Sequence, residues 1–274
     1  MRIPAVGKLL VVALAGYGML CLLLAALQRK LMYFPSRATE TDSTRRARSL
    51  GLEAWRDAVG SLQGWRRPGR SGGTRVLVFH GNAGSALDRT YYLPLLGTGD
   101  RDVILFEYPG YGPRSGAPSQ KAMVEAALQA LARVQNEAPG PVWLVGESLG
   151  GGVACAVAGY RPAGVAGLVL VTPFARMTEV AACHYPFLPV RLLLRDRWDN
   201  VEALARFPGP VGLFIAGRDE VVGAEQGRSL AAALGSRARR WEQPSAGHNT
   251  WENRPDQAPW VEIRAFLAGP AAAP

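Results

Sequence analysis

The sequence is poor in lysine, cysteine and histidine, and each shortage narrows the class of protein. Only three lysines occur, so the net charge of +9 comes from arginines. These arginines are scattered rather than interleaved with aromatic residues, which argues against a nucleic-acid partner. Three cysteines do not make a disulfide framework and are expected to serve packing. Three histidines leave few candidates for a catalytic base.

An uncharged apolar run extends from Leu9 to Leu27. At about 1.5 Å per residue it reaches about 28 Å, close to the thickness of a bilayer's hydrocarbon core. A signal peptide is the alternative, but its apolar region is usually shorter, and the only A-x-A match begins at Ala13, inside the run. We therefore predict a single-pass anchor within residues 1–30, with membrane lipid as a partner.

Basic residues are denser after the apolar run than before it. Arg2 and Lys8 precede it, whereas Arg29, Lys30, Arg37, Arg45, Arg46 and Arg48 follow it. The positive-inside rule then places the globular part in the cytoplasm. Residues 31–50 are polar and predict a juxtamembrane linker.

Apolar strand-like runs alternate with helical patterns through the rest of the chain. This order predicts an α/β domain over residues 51–269, with a mostly parallel sheet covered by helices on both faces. Residues 52–67 predict an antiparallel hairpin at the sheet edge. The irregular stretch 175–209 is too long for an ordinary connection and predicts a lid or cap.

The segment "PVWLVGESLGGGVA" contains Ser148 between glycines. Composition alone would produce a G-x-S-x-G match in about one such chain in six. Its setting is more specific: an apolar strand precedes the serine, and a helix of small residues follows it, as a nucleophile elbow requires. A glycine-rich turn between strand and helix, of the kind that can hold a phosphate, is the alternative.

A serine hydroxyl needs a base, and the base needs a carboxylate to orient it. Of the three histidines, His248 follows the last strand-like run in a loop and is favoured as the base. His184 lies in the predicted lid and is expected to line the site or to lie at the surface. Asp219 directly follows an apolar strand and is the favoured acid, with helix capping as its alternative role, and its neighbour Glu220 is expected to point elsewhere.

An acyl-transfer site also needs donors for the negative charge that develops on oxygen. The backbone N–H of Leu149, directly after the serine, is one candidate. The backbone N–H of Asn82, in the early loop "FHGNAGS", is the other. His80 is expected to support this loop.

Eight short motifs extend this reading over residues 31–250: "LMYFPSR", "FHGNAG", "EYPGYG", "GESLGGGVA", "TPF", "LLLRDRWDN", "AGRDEVV" and "GHN". In this order they resemble the α/β-hydrolase superfamily of serine hydrolases. They look most like its membrane-anchored Bem-type and ABHD subgroup with its bacterial relatives. The resemblance implies the α/β-hydrolase fold, a triad of Ser148, Asp219 and His248, and, for a bacterial relative, an inner-membrane location.

The sequence therefore predicts a serine hydrolase that cleaves an acyl ester or thioester of a lipid-like or S-acyl substrate and needs no metal or organic cofactor. The expected partner is a small acyl substrate or an acylated protein. A serine peptidase of the same fold and a non-catalytic binding protein are the alternatives.

Overall fold

A single central sheet organises the protein, which we describe from a computed structural model covering residues 5–69, 73–97, 101–138, 140–160 and 162–269. Within these residues the strands are β1 Phe34–Pro35, β2 Glu53–Arg56, β3 Leu62–Arg67, β4 Arg75–Phe79, β5 Ala83–Gly84, β6 Asp102–Phe106, β7 Val142–Glu147, β8 Val165–Val171, β9 Val211–Ala216 and β10 Ala238–Gln243. Eight of them form the sheet, in the spatial order β10-β9-β8-β7-β4-β6-β3-β2. Neighbours from β6 to β10 pair parallel, whereas β3 pairs antiparallel with both β6 and β2, confirming the edge hairpin.

Helices cover both faces of this sheet. They are α1 Ala5–Met32, α2 Glu40–Ser49, α3 Tyr92–Leu95, α4 Gln120–Glu137, α5 Leu149–Gly159, α6 Met177–His184, α7 Val190–Leu193, α8 Asn200–Ala205, α9 Ala224–Leu234 and α10 Trp260–Leu267. Strand β4 shows the two-layer core: Leu77 and Phe79 join the cluster under α4 and α5, and Val76 and Val78 join the cluster under α10. Burial on both faces explains why the strands read as continuous apolar runs.

A capping residue in the sequence locates the start of helix α4. The sequence predicts a helix over 119–140 capped by Ser119, and Ser119 Oγ accepts a hydrogen bond from Ala122 N at 3.1 Å. This bond satisfies one of the backbone donors that the first turn leaves free. The helix ends at Glu137, ahead of the predicted boundary.

The N-terminal helix α1 is longer than the uncharged run that predicted it. It is the one helix among the described residues that is long and apolar enough to cross a membrane, and most of its side chains are exposed. The segment that follows has structure of its own. Strand β1 pairs parallel with β5, and α2 begins after Thr39, whose hydroxyl accepts a hydrogen bond from Asp42 N.

The predicted lid divides into two parts. Helices α6 and α7 line the cavity that also contains Ser148, the residue that follows β7. Helix α8 instead packs against α5, with Trp198 and Leu204 fully buried in the core. The two helices α5 and α8 approach so closely that a Cβ at Gly159 would stand 2.7 Å from Ala203 O. Within the predicted lid 175–209, residues 176–196 lie beside the cavity above Ser148 and α1, and we call this stretch the cap.

Candidate active site

Ser148 lies in a strained turn between β7 and α5. Its φ of 51° is positive, a conformation that non-glycine residues rarely adopt. Two glycines make room for the turn: a Cβ at Gly146 would lie 2.4 Å from Gly150 O, and one at Gly150 would lie 2.1 Å from Phe79 O. This strand, turn and helix are the geometry expected of a nucleophile elbow.

His248 joins the serine to a carboxylate. Its Nε2 lies 3.0 Å from Ser148 Oγ, and its Nδ1 lies 2.7 Å from Asp219 Oδ2. A carboxylate only accepts hydrogen bonds, so Nδ1 carries the proton and Nε2 is free to accept from the serine hydroxyl. The structure thus brings together the three side chains that the sequence singled out, although a hundred residues separate Ser148 from His248.

Asp219 combines the two roles that the sequence left as alternatives. One carboxylate oxygen accepts from His248, and the other accepts from the backbone N–H groups of Val221 at 2.9 Å and Val222 at 2.8 Å. Burial alone would raise the pKa of Asp219, but the hydrogen bond and charge of His248, together with these two amides, outweigh burial and lower that pKa below its usual value. The carboxylate is therefore held ionised where an imidazolium needs stabilising.

Glu220 does not point elsewhere, contrary to the expectation from its position. Its Oε2 accepts a hydrogen bond from the backbone N–H of His248 at 3.1 Å. The two consecutive acids thus bind different parts of His248: Asp219 contacts its ring, and Glu220 contacts its backbone. The sequence offered one signal for this arrangement, the pair of carboxylates itself.

The Asn82 loop is fixed by the chain that leaves α1. Asn82 O accepts hydrogen bonds from Phe34 N at 2.9 Å and from Tyr111 Oη at 2.7 Å, and its side-chain amide donates to Met32 O at 3.1 Å. Its own backbone N–H has no acceptor among the described residues. Leu149 is the first residue of α5, and first-turn N–H groups have no partner inside a helix. Both residues line the same cavity as Ser148.

His80 is buried behind this loop and does not reach the serine. Its ring nitrogen Nδ1 donates to Gly81 O at 2.8 Å, and the ring packs on Tyr108 with 4.2 Å between centroids. Tyr108 in turn donates to His80 O. The residue supports the loop, as its sequence position indicated.

A polar network beneath the elbow escaped the sequence analysis. Glu147, the residue before the serine, is buried and accepts from Arg89 Nε at 2.9 Å, from Tyr92 Oη at 3.0 Å and from Tyr91 Oη. Burial, followed by the charge of Glu147, raises the pKa of Tyr92 far above its usual value, which keeps the phenol protonated as a donor. Arg89 also donates to Ala83 O, so it ties the elbow to the Asn82 loop. An acidic residue inside an apolar strand was the one available signal.

A cavity of about 450 Å³ opens above Ser148. Its lining is almost wholly apolar and comes from α1, the cap and the loop after β9. His184 belongs to this lining and lies against the loop, with Nε2 donating to Val221 O at 2.7 Å. The volume lies within the range of small-molecule sites.

Fold and site together define the class of protein: the chain belongs to the α/β-hydrolase family. A family model described as the alpha/beta hydrolase fold matches residues 74–207. The sequence-based prediction of this family and fold is thereby confirmed.

Two curated proteins are similar to the chain in sequence, and one solved structure is similar to it in fold. Rv2307c, an uncharacterised protein of Mycobacterium tuberculosis, is 35% identical over 277 residues, which cover 97% of this chain and 96% of that protein. The lysophosphatidylserine lipase ABHD12 of Danio rerio is 29% identical over 196 residues, covering 64% of this chain and 51% of the lipase. The Pyrococcus furiosus esterase Pf2001 shares the fold with a TM-score of 0.66 at 16% identity, covering 86% of this chain and 97% of the esterase.

Proposed function

We propose that the protein is a membrane-anchored serine hydrolase that cleaves acyl esters or thioesters. The observation that carries this proposal is one buried imidazole at the base of an apolar cavity, which accepts from Ser148 Oγ at 3.0 Å and donates to Asp219 at 2.7 Å. In this geometry a serine hydroxyl has an oriented base, and the base has a counter-ion.

The reaction follows from the positions of the protons. His248 Nε2 takes the Ser148 proton as Oγ attacks the acyl carbonyl, and Asp219 stabilises the imidazolium. The N–H groups of Asn82 and Leu149 receive the negative charge on the carbonyl oxygen. His248 then protonates the leaving alcohol or thiol, and an acyl-enzyme remains. Water, deprotonated by His248, releases the carboxylic acid and restores Ser148.

The cavity favours a long apolar acyl group over a peptide. Its few polar groups are the site residues themselves and the side chains Gln28, His184 and Tyr185. An apolar chain loses nothing in hydrogen bonding when it enters such a space, whereas buried peptide groups without partners lose free energy. The lipase named among the relatives supports the same substrate class.

Helix α1 supports attachment to a membrane. Its exposed apolar side chains would face lipid, and Arg29 and Lys30 in its last turn suit the interface with headgroups. The excess of basic residues after the apolar run supports a cytoplasmic catalytic domain, and the likeness to bacterial proteins supports the inner membrane.

Covalent labelling tests the proposal. A fluorophosphonate probe should label the wild-type protein and fail to label Ser148→Ala, whereas Ser229→Ala, a change at an exposed serine on α9, should label normally. A panel of p-nitrophenyl esters, acyl thioesters and aminoacyl amides then ranks the leaving groups. Folded wild-type protein that takes no label, or that prefers the amides, would contradict the assignment.

A further inference from the structure

The membrane helix forms one wall of the cavity above Ser148. Five of its residues line that space: Leu24, Ala25, Gln28, Leu31 and Met32. Their spacing places them on one helix face, directed toward the cap. The helix is therefore part of the substrate site as well as an attachment.

An ion pair fixes this wall in place. Two nitrogens of Arg29, in the last turns of α1, each lie 3.0 Å from a carboxylate oxygen of Asp196 at the end of the cap. Tyr33 Oη donates to the same carboxylate at 2.8 Å, and Asp196 is only 3% exposed. Withdrawal of α1 would leave a buried carboxylate without its counter-ion, which is strongly unfavourable.

Gln28 makes a second link between α1 and the cap. Its side-chain amide donates to Leu193 O at 3.1 Å, and its side-chain oxygen accepts from Arg195 N at 2.7 Å. Gln28, which stands among apolar residues, thus provides hydrogen-bond partners for two backbone groups of the cap. Helix and cap are joined on the polar side of the cavity.

The cap reaches far along the helix. Tyr17 Oη donates to Phe187 O at 2.8 Å, and Tyr17 lies near the middle of the uncharged run Leu9 to Leu27. At about 1.5 Å per residue this contact is about 22 Å from the end of α1. If α1 crosses the bilayer, the tip of the cap stands inside the hydrocarbon layer.

The surface of the cap agrees with that depth. Phe187 and Leu192 are 62% and 83% exposed, and Tyr185 is 49% exposed, beside a helix whose own apolar side chains are exposed. An apolar surface of this kind is unfavourable in contact with water, whereas lipid chains would cover it. Exposed Arg191, next to Leu192, has the length to extend its charge toward headgroups.

We propose that the cavity takes the acyl chain of a membrane lipid sideways, from the hydrocarbon layer between α1 and the cap, and that α1 limits the chain length accepted. This inference rests on the proposed hydrolase function. It assigns the residues on the inner face of α1 to substrate selection and the exposed apolar residues of the cap to the leaflet.

Two adjacent alanines of α1 provide a matched test of the wall. Ala25 lines the cavity, whereas Ala26 is exposed and does not. In the detergent-solubilised full chain, Ala25→Trp should lower kcat/KM for p-nitrophenyl laurate relative to butyrate by about tenfold or more, the loss of burial of two or more methylenes. Ala26→Trp should leave this ratio unchanged. Equal ratios in both variants would overturn the assignment of α1 as a wall.

Two exposed apolar residues test the route of entry. Leu192→Asp on the cap should lower hydrolysis of p-nitrophenyl palmitate embedded in phosphatidylcholine vesicles by about tenfold or more, since a charge in the hydrocarbon layer is unfavourable. Soluble p-nitrophenyl butyrate should be cleaved at the wild-type rate. Val59→Asp changes a residue that is 86% exposed in the edge hairpin and should affect neither substrate.

Fluorophosphonate labelling distinguishes a failure of the hydrolase function from a failure of sideways entry. Each variant is labelled alongside the wild type, so a misfolded variant is recognised by loss of label. Failure of wild-type labelling would refute the hydrolase function. Normal labelling, with equal effects of Leu192→Asp on vesicle and soluble substrates, would refute sideways entry while leaving the hydrolase intact.

Discussion

Replacement of Asp219 by asparagine would separate its two structural roles. The amide oxygen of asparagine can still accept from Val221 N and Val222 N, so the turn after β9 should remain closed. The amide nitrogen would then face His248 Nδ1, which now donates to a carboxylate at 2.7 Å. Two donors cannot share that contact, so the ring must move its proton to Nε2, the nitrogen 3.0 Å from Ser148.

The geometry sets the size of the effect. The side chains of His248 and Asp219 are only 7% and 2% exposed, so water cannot replace the lost carboxylate. A base in the wrong tautomer beside an intact serine costs about four orders of magnitude in kcat, or about 5.4 kcal/mol of activation free energy. The assay is steady-state hydrolysis of p-nitrophenyl butyrate, with Glu220→Gln as the neighbouring control, which should lose less than about tenfold because glutamine retains an acceptor for His248 N. A loss below about a hundredfold in Asp219→Asn would refute the assignment of Asp219 as the acid.

Acid stability checks the same carboxylate independently. Because the folded protein holds the pKa of Asp219 below its usual value, ionisation stabilises the fold above the unfolded pKa of about 3.9. That contribution disappears as the pH falls through the folded pKa. The difference in thermal stability between wild type and Asp219→Asn should therefore shrink below about pH 4. A difference that stays constant from neutral to acid pH would contradict the carboxylate's role in stability.

Three further outcomes follow from the packing. Gly150→Ala should prevent correct folding, because its Cβ would stand 2.1 Å from a carbonyl oxygen of β4, whereas Gly151→Ala should be tolerated because its nearest contact is at 3.6 Å. Thermal melts followed by circular dichroism compare the two variants, and equal stability would contradict the packing of the elbow. In the detergent-solubilised protein, exposed Cys183 should react with a maleimide. Cys155 should react only after denaturation, because it is buried and burial raises the pKa of its thiol. Mass spectrometry locates the adducts, and labelling of Cys155 in the folded protein would refute its burial. Deletion of residues 1–32 should lower laurate hydrolysis more than deletion of residues 1–16, since only the longer deletion removes the cavity wall, and equal losses would argue against that wall.

Most of the α/β core could be predicted from the sequence because its signals are local. Apolar runs bounded by turns gave the parallel strands, and a serine at the right offset gave the start of α4. Helix α2 could not be predicted, since only Ser43 and Ala47 of its ten residues are buried, and a helix without an apolar face reads as a linker. Contacts from the rest of the protein hold it, among them the ion pair of Arg46 with Asp88 at 2.9 Å.

The site was predictable to the extent that its residues follow strands. Ser148 and Asp219 each come directly after an apolar run, and topology carries such positions to one edge of a parallel sheet. The contact of Arg29 with Asp196 joins residues 167 apart and has no local signature. For a related reason the sequence does not separate the two parts of the predicted lid, since Trp198 and Leu204 pack in the core through contacts that have no local periodicity.

The end of α1 connects the proposed membrane anchor to the candidate active site. Met32 O accepts from the side-chain amide of Asn82, and Phe34 N donates to Asn82 O, so the end of α1 and the start of β1 position the proposed oxyanion donor. Arg29, in the last turn of α1, binds the cap through Asp196. A shift of α1 against the domain would therefore alter the cavity wall, the cap and the Asn82 loop together. Helix α1 is therefore a wall of the cavity as well as the proposed membrane anchor, and residues from 31 onward alone would lack one side of the pocket.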